Sequence, residues 1–275
     1  MTSPPGFQEL AIDTPPKVGP MQARMLDWGA RVLYLGPAFG LTPHRNATGV
    51  LAVALDGAIG VADHPRARSP SYRKTRSVLI MPNSLHHLRV DAGRMAFLYV
   101  DPFGRDIEAL RSRMKEVGSR AAFDMIDERA VVTLFGDIAE RRLESDEARQ
   151  AVRDRLGIGS SAQPDARIAD AIRRMREEPG GSHTLAELGR QAGLSSSRFL
   201  HLFKEATGVP LRRYRIWSRI GAAARAVAQG QSLTEAAHGA GFSSSAHFST
   251  AFRDMFGMMP SDLFARMRGP NSAQA

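Results

Sequence analysis

TLAELGRQAGLSSSRFLHLFKEATG, residues 184–208, and SLTEAAHGAGFSSSAHFSTAFRDMFG, residues 232–257, are two versions of one pattern, and their reading decides the fold of the C-terminal part. They superpose at a spacing of 48 residues in the first half and 49 in the second, so the later version holds one extra residue, placed near Ala246. In each, an amphipathic helix carrying Leu185 and Leu188, or Leu233 and Ala236, runs into a small residue and a glycine, Ala192-Gly193 or Ala240-Gly241. Glycine admits the left-handed backbone that turns the chain sharply. Leu194 or Phe242 then plugs the turn, and Ser195 or Ser243 stands where a hydroxyl can cap the next helix. That second helix packs through Phe199, Leu202 and Phe203, or Phe248, Ala251 and Phe252. Helix, glycine turn and capped helix make a helix-turn-helix unit, here present twice.

Glycine-turned helix pairs also occur in plain bundles, but the exposed residues separate the two cases. Ser196, Ser197, Arg198, His201 and Lys204, and in the second unit Ser244, Ser245, His247, Thr250 and Arg253, suit phosphates and base edges, opposed only by Glu205 and Asp254 at the far ends. Between the units, LRRYRIWSRIGAAARAVAQ follows Pro210 without a helix breaker. About nineteen residues make roughly 28 Å of helix. One turn of B-DNA is roughly 34 Å, so such a rod would hold two reading helices over successive major grooves, with some bending of the duplex.

The second version matches A-x-x-x-G-F-x-S-x-x-x-F-x-x-x-F-[KR]-x-x-x-G-x-x-P from Ala237 to Pro260. On this motif the chain resembles the AraC/XylS family of bacterial transcription regulators over about 100 residues, Ala166 to Met267. Met259 departs from the pattern, which often has Ser or Thr before the proline. The resemblance implies base contacts at Ser197, Leu200 and His201 in the first reading helix and at Ser245, Ala246, His247 and Thr250 in the second. It implies phosphate contacts from Ser196, Arg198, Lys204, Ser244 and Arg253. Leu200 and Ala246 cannot donate hydrogen bonds and would meet thymine methyls or discriminate nothing. The implied partners are promoter DNA, a small-molecule effector, RNA polymerase and a second copy of the chain in a homodimer, with activation as the mode of regulation.

Ahead of this region the pattern differs. Short apolar runs between Gly29 and Val100 (RVLYLG, VLAVALDG, SVLIMP, MAFLYVD) alternate with Gly, Pro, Asn and Asp clusters, as in a meander of antiparallel strands. After Asp101 the spacing turns helical, with Ile107, Leu110 and Met114 on one face. The charged stretch DIAERRLESDEARQAVRDRLG, 137–157, reads as a helix, either in a subunit interface or solvated and covering the sheet. GIGSSAQPD, 157–165, reads as a linker.

The strand region resembles the cupin-like sensor domain found in many members of the same family, through TPHRN around His44, LDGAIGV at 55–61 and IMPNSLHHLR with Pro82 and His86. His44, Arg45 and His86 are the expected effector-pocket residues. A cupin metal site would draw on His44, His86 and His87, yet the His pair is reduced to His44-Arg45-Asn46 and no glutamate follows at the needed distance. No metal, cofactor or catalytic residue is therefore assigned. A metal oxygenase or isomerase with an appended DNA-binding tail is the alternative from another class, and an architectural DNA-bending protein a third reading.

The bulk properties fit. A chain of 275 residues is longer than one compact domain, and 43% hydrophobic with 24% charged residues is ordinary for a folded protein. The net charge is +9, and residues 161–275 hold 15 Lys+Arg against 9 Asp+Glu, while residues 1–160 hold 22 against 19. The basic surplus thus concentrates where phosphate would bind. There is no cysteine, which excludes disulfides, thiolate zinc sites and a cysteine nucleophile. The first twenty residues show no signal-peptide pattern and are expected to be flexible, and no apolar run reaches membrane-spanning length, so a cytoplasmic location without a membrane partner is expected. The expected architecture is α+β: a cupin-like antiparallel β-barrel with flanking helices at 20–158, for effector binding and dimerisation, then an all-α domain at 164–270 whose two helix-turn-helix units are joined by a long helix.

Overall fold

The computed structural model describes residues 23–62, 64–90, 93–100, 105–159 and 165–268. The flexible start and most of the linker expected from the sequence lie outside them. Strands β1 (Arg24–Asp27), β2 (Val32–Pro37), β3 (Val50–Ala54), β4 (Ile59–Ala62), β5 (Arg73–Thr75), β6 (Ser77–Ile80), β7 (His87–Arg89) and β8 (Arg94–Tyr99) precede helix α1 (Asp106–Arg111). A hairpin of β9 (Met114–Val117) and β10 (Ala121–Met125) follows, then α2 (Glu128–Ala139) and α3 (Ser145–Leu156). Seven strands form one sheet in the order β1-β2-β8-β3-β6-β10-β9, and β5-β4-β7 form a second, all pairs antiparallel.

The large sheet is buried on both faces, which is why β3 reads as an unbroken apolar run, VLAVA. Side chains alternate across a strand, so Val50, Ala52 and Ala54 point to one layer and Leu51 and Val53 to the other. The second layer is closed by α1, α2 and α3, with Val131, Phe135 and Ile138 of α2 and Ala148, Val152 and Leu156 of α3 joining the core. The charged stretch is not the single helix expected: residues 137–139 end α2, and residues 145–156 form α3, whose one apolar stripe at i, i+4 and i+8 packs in the layer over the sheet. Met114, expected on a helical face with Ile107 and Leu110, instead begins β9 and pairs with Met125. The helix stops at Arg111, and Gly118 lies in the turn that returns the chain along β10.

The C-terminal part is helical: α4 (Ala166–Glu177), α5 (Leu185–Gln191), α6 (Ser196–Thr207), α7 (Leu211–Ala228), α8 (Leu233–Gly239), α9 (Ser245–Phe256) and α10 (Pro260–Arg268). Helices α4, α5 and α6 close a core of their own against the first half of α7, around Phe199, Phe203 and Tyr214. The second unit does not. Phe242, Phe248, Phe252, Met255, Met258 and Leu263 share one continuous core with Tyr34, Val50, Ala52, Ile80 and Phe97 of the large sheet. Two separate domain cores were the expectation from length. The second unit carries more apolar surface than its own short helices can enclose, and each fully buried Phe is worth about 1.5–3 kcal/mol, so it is stabilised against the sheet. Among the described residues no helix is long and apolar enough to cross a membrane.

Candidate nucleic-acid interface

Each helix-turn-helix unit is assembled from local signals. Thr184 and Ser232 start α5 and α8 with capping boxes, their hydroxyls accepting from the amides of Glu187 and Glu235 while those carboxylates accept from the cap amides. These bonds hold both carboxyls below the usual glutamate range, Glu187 chiefly through the Thr184 amide and Glu235 chiefly through the Ser232 hydroxyl. Gly193 and Gly241 make the turns at φ of +63° and +83°, where a β-carbon would strain the backbone.

The two turns differ by one residue. Ser195 caps α6, accepting from the Arg198 amide, as expected. The cap of α9 is Ser244, which accepts from the His247 amide, and not Ser243, the residue expected from sequence. The extra residue therefore sits in the turn as Ser243, whose hydroxyl lies 3.1 Å from His247 Nδ1, and not near Ala246. From the cap onward the two reading helices align at 49 residues, so the counterparts of Ser197, Leu200 and His201 are Ala246, Ser249 and Thr250. Ser249, half-buried, went unnoticed in the sequence; the cap position was the signal that would have found it.

The outward faces of both helices are open. Ser196, Ser197, Arg198, Leu200, His201 and Lys204 on α6 are exposed, as are Ala246, His247, Thr250 and Arg253 on α9, with Ser244 and Ser245 half-buried at its start. His201 is 69% exposed, with Glu205 3.8 Å away, so it does not pack on the connecting helix. His247 is tied back to the turn, its ring edge-on to Phe242 at 5.3 Å. The connector α7 has 18 residues, about 27 Å of helix. Both reading helices end on left-handed glycines, Gly208 and Gly257.

The sheet domain grips the C-terminal end of α9. The Asn46 side chain donates to the carbonyl of Met255 at 2.8 Å, and the Thr42 amide donates to that of Gly257 at 2.8 Å. Arg213 of α7 donates to the carbonyl of Arg45. No sequence signal pointed to this contact, because its partners lie about two hundred residues apart.

His44 and His86, expected in an effector pocket, pair with each other at this docking edge. They form an antiparallel bridge, are 5% and 2% exposed, and hold their rings 4.3 Å apart. Each Nδ1 is bound to a nearby backbone carbonyl, Thr42 or Ser84. Burial drives both imidazoles down, His44 to about 3 with help from His86, and His86 to about 4. Arg45 belongs to a separate surface cleft with Arg66 and Arg120. Among the described residues no three His, Asp or Glu converge as a metal site.

An apolar cavity of about 170 Å³ lies elsewhere, where the large sheet meets α7, α9 and α10. Tyr34, Phe97 and Tyr99 wall it on the sheet side, and Trp217, Phe252 and Phe256 on the helical side. Trp217 touches the cores of both helix-turn-helix units and stacks with Tyr99 and Phe256 at 5.5 and 5.7 Å. Asp27 and Arg225 also line the cavity and form an ion pair across the junction at 3.1 Å.

Residues 188–266 match a family model described as a helix-turn-helix domain. The transcriptional regulator LumQ of Photobacterium leiognathi is 38% identical over 78 residues, 28% of this chain and 32% of LumQ. An AraC-like transcription regulator of Streptomyces antibioticus is 35% identical over 100 residues, 36% of this chain and 33% of that protein. The matches thus span about a third of these relatives. In fold the likeness is wider: ToxT from Vibrio cholerae, 11% identical, covers 87% of this chain and 99% of its own with a TM-score of 0.58. ToxT with an unsaturated fatty acid bound superposes with a TM-score of 0.56 at 13% identity, over 85% of this chain and 95% of its own. Residues 188–266 are thus a helix-turn-helix domain similar to those of AraC-like transcription regulators.

Proposed function

We propose that the protein is a sequence-specific DNA-binding transcription regulator of the AraC type that responds to a small molecule and acts in the cytoplasm. The observation that carries this reading is the pair of open, polar-to-basic helices α6 and α9, each capped by serine and linked by α7. Ser197, Leu200 and His201 on α6, with Ala246, Ser249 and Thr250 on α9, are the base-reading residues, and Ser245 and His247 flank them. Ser196, Arg198, Lys204 and Arg253 set the register on phosphates. Ser244 is occupied as a cap and contributes to that register through its helix.

Residues 20–158 form the sensing part and residues 164–270 the reading part. The shared core gives an effector a direct route to the second reading helix, since a change in the sheet domain alters the surface on which α9 is seated. ToxT, with the same fold, is known with a fatty acid bound, which supports a small-molecule effector here. RNA polymerase and a second copy of the chain are the further partners that the resemblance to AraC-type regulators implies.

Selection of duplexes from random DNA by the full-length protein tests the reading. The expected outcome is a bipartite site whose halves lie about one helical turn apart. Binding to the best selected duplex no tighter than to random sequence would overturn it.

A further inference from the structure

We infer that the cavity between the sheet and α7, α9 and α10 is a binding site for a small, uncharged aromatic molecule; this rests on the proposed effector response. The volume sets the size: about 170 Å³ is close to the roughly 150 Å³ of an apolar cavity that accommodates benzene, and below the roughly 300 Å³ at which pockets for larger ligands begin. The wall sets the chemistry. Aromatic rings come from both sides, and Tyr99, Trp217 and Phe256 are only half-buried although each lies between packed layers.

The charged groups in the wall and the Tyr34 hydroxyl already have partners. The Tyr34 hydroxyl donates to the Pro37 carbonyl at 2.9 Å, and the Arg225 guanidinium is paired with Asp27. A carboxylate placed here would bring its charge next to Asp27 and compete with that residue for Arg225. A neutral ring leaves the ion pair intact and fills apolar space. Its position also gives the ligand leverage: it touches Trp217, where the cores of the two helix-turn-helix units meet, and Phe252 of the second reading helix. Occupancy fastens the sheet domain to α9.

Full-length protein with Trp28→Phe leaves Trp217 as the single tryptophan reporter. Toluene, benzoate and an unsaturated fatty acid are titrated into it, and into the same protein carrying Gly221→Leu. Gly221 lines the cavity, and a β-carbon there meets only the flexible end of Arg225 at 3.6 Å, so leucine fills the space without disturbing the helix. Toluene is expected to change Trp217 emission saturably at one site per chain, with benzoate at least about tenfold weaker because an added charge lacks a free counter-ion. Gly221→Leu, and independently Ala224→Leu, should weaken toluene by at least about tenfold while leaving binding to the selected duplex in place. Asp27→Asn should shift the preference towards benzoate. Tighter binding of benzoate or the fatty acid than of toluene by the protein with Asp27 intact would overturn the ligand class. Toluene binding that is absent, or undiminished in both filled variants, would overturn the site. Loss of specific DNA binding in the parent protein would instead count against the proposed function.

Discussion

The side-chain amide of Asn46 in the sheet domain donates to the carbonyl of Met255, 2.8 Å away, in the last turn of the second reading helix. Asn46 is 2% exposed, so water does not compete for the bond. The last carbonyls of a helix lack partners within it. In α9 some of them are satisfied by the sheet domain, through Asn46 and Thr42, so the orientation of the helix proposed to read DNA depends on the part of the chain proposed to sense a ligand.

Asn46→Ala should therefore destabilise the full-length protein by about 1–3 kcal/mol, the cost of leaving a buried carbonyl unpaired. Urea unfolding followed by circular dichroism reads the change. A midpoint equal to that of the parent would show that the bond does not hold the two parts together.

The position of the extra residue in the second turn separates two neighbouring serines. Ser244→Ala removes the cap of α9 and should cost about 1 kcal/mol. Ser243→Ala loses only its contact with His247, so its effect should stay within about 0.5 kcal/mol. Equal effects, or the reverse order, would contradict the assigned cap.

Lys204 and His201 lie on the same exposed face but have different proposed tasks. Lys204→Ala should weaken binding to all duplexes alike and reduce the slope of log K against log salt by about 0.9, one phosphate contact. His201→Ala should leave the slope unchanged and cost about 1–3 kcal/mol of discrimination at one base pair. Fluorescence anisotropy at several salt concentrations, with matched and mismatched duplexes, distinguishes them. A change of slope for His201→Ala would reassign that residue to the backbone.

The His44–His86 pair predicts a dependence of stability on pH. Both imidazoles titrate well below the ordinary value of 6.5 in the folded protein, near 3 and 4, because burial disfavours the charged form and His87, Arg45 and Arg213 add positive charge around them. The unfolded chain takes up these protons first as pH falls. Stability is thus fully present above pH 6.5 and declines below it, down to about 4 for His86 and about 3 for His44, by up to about 1.4 kcal/mol per pH unit for each ring. Urea midpoints measured across that range give the slope. Replacing both histidines with glutamine should flatten it; an unchanged slope in that variant would place the titrating groups elsewhere.

Much of the C-terminal half was legible in advance because its signals are local. Thr184 and Ser232 with their glutamates three residues on, Gly193 and Gly241 in the turns, and the phenylalanines at i and i+4 all act within one or two turns of helix. The strand meander was legible from its turn residues, but β9 and β10 were missed because Ile107, Leu110 and Met114 imitate a helical stripe that the chain abandons at Arg111. The histidines stand out in the sequence as chemistry-bearing residues, and the structure places them as a buried pair at the edge that meets α9. The cavity went unseen because its wall is made of aromatic residues that look like ordinary core when read one strand or helix at a time.

From the sequence alone came the duplicated reading unit, its polar outer face, the rigid connector and the strand-rich region before them. Each depends on residues a few positions apart, whose backbone preferences and spacing are already present in the unfolded chain. The tertiary structure alone decided that the second unit shares its core with the sheet, that Asn46 meets Met255 across 209 positions, and that the junction encloses a cavity. Those features arise only when apolar surfaces that no local element can bury find each other, and that matching is set by the shape of the assembled layers.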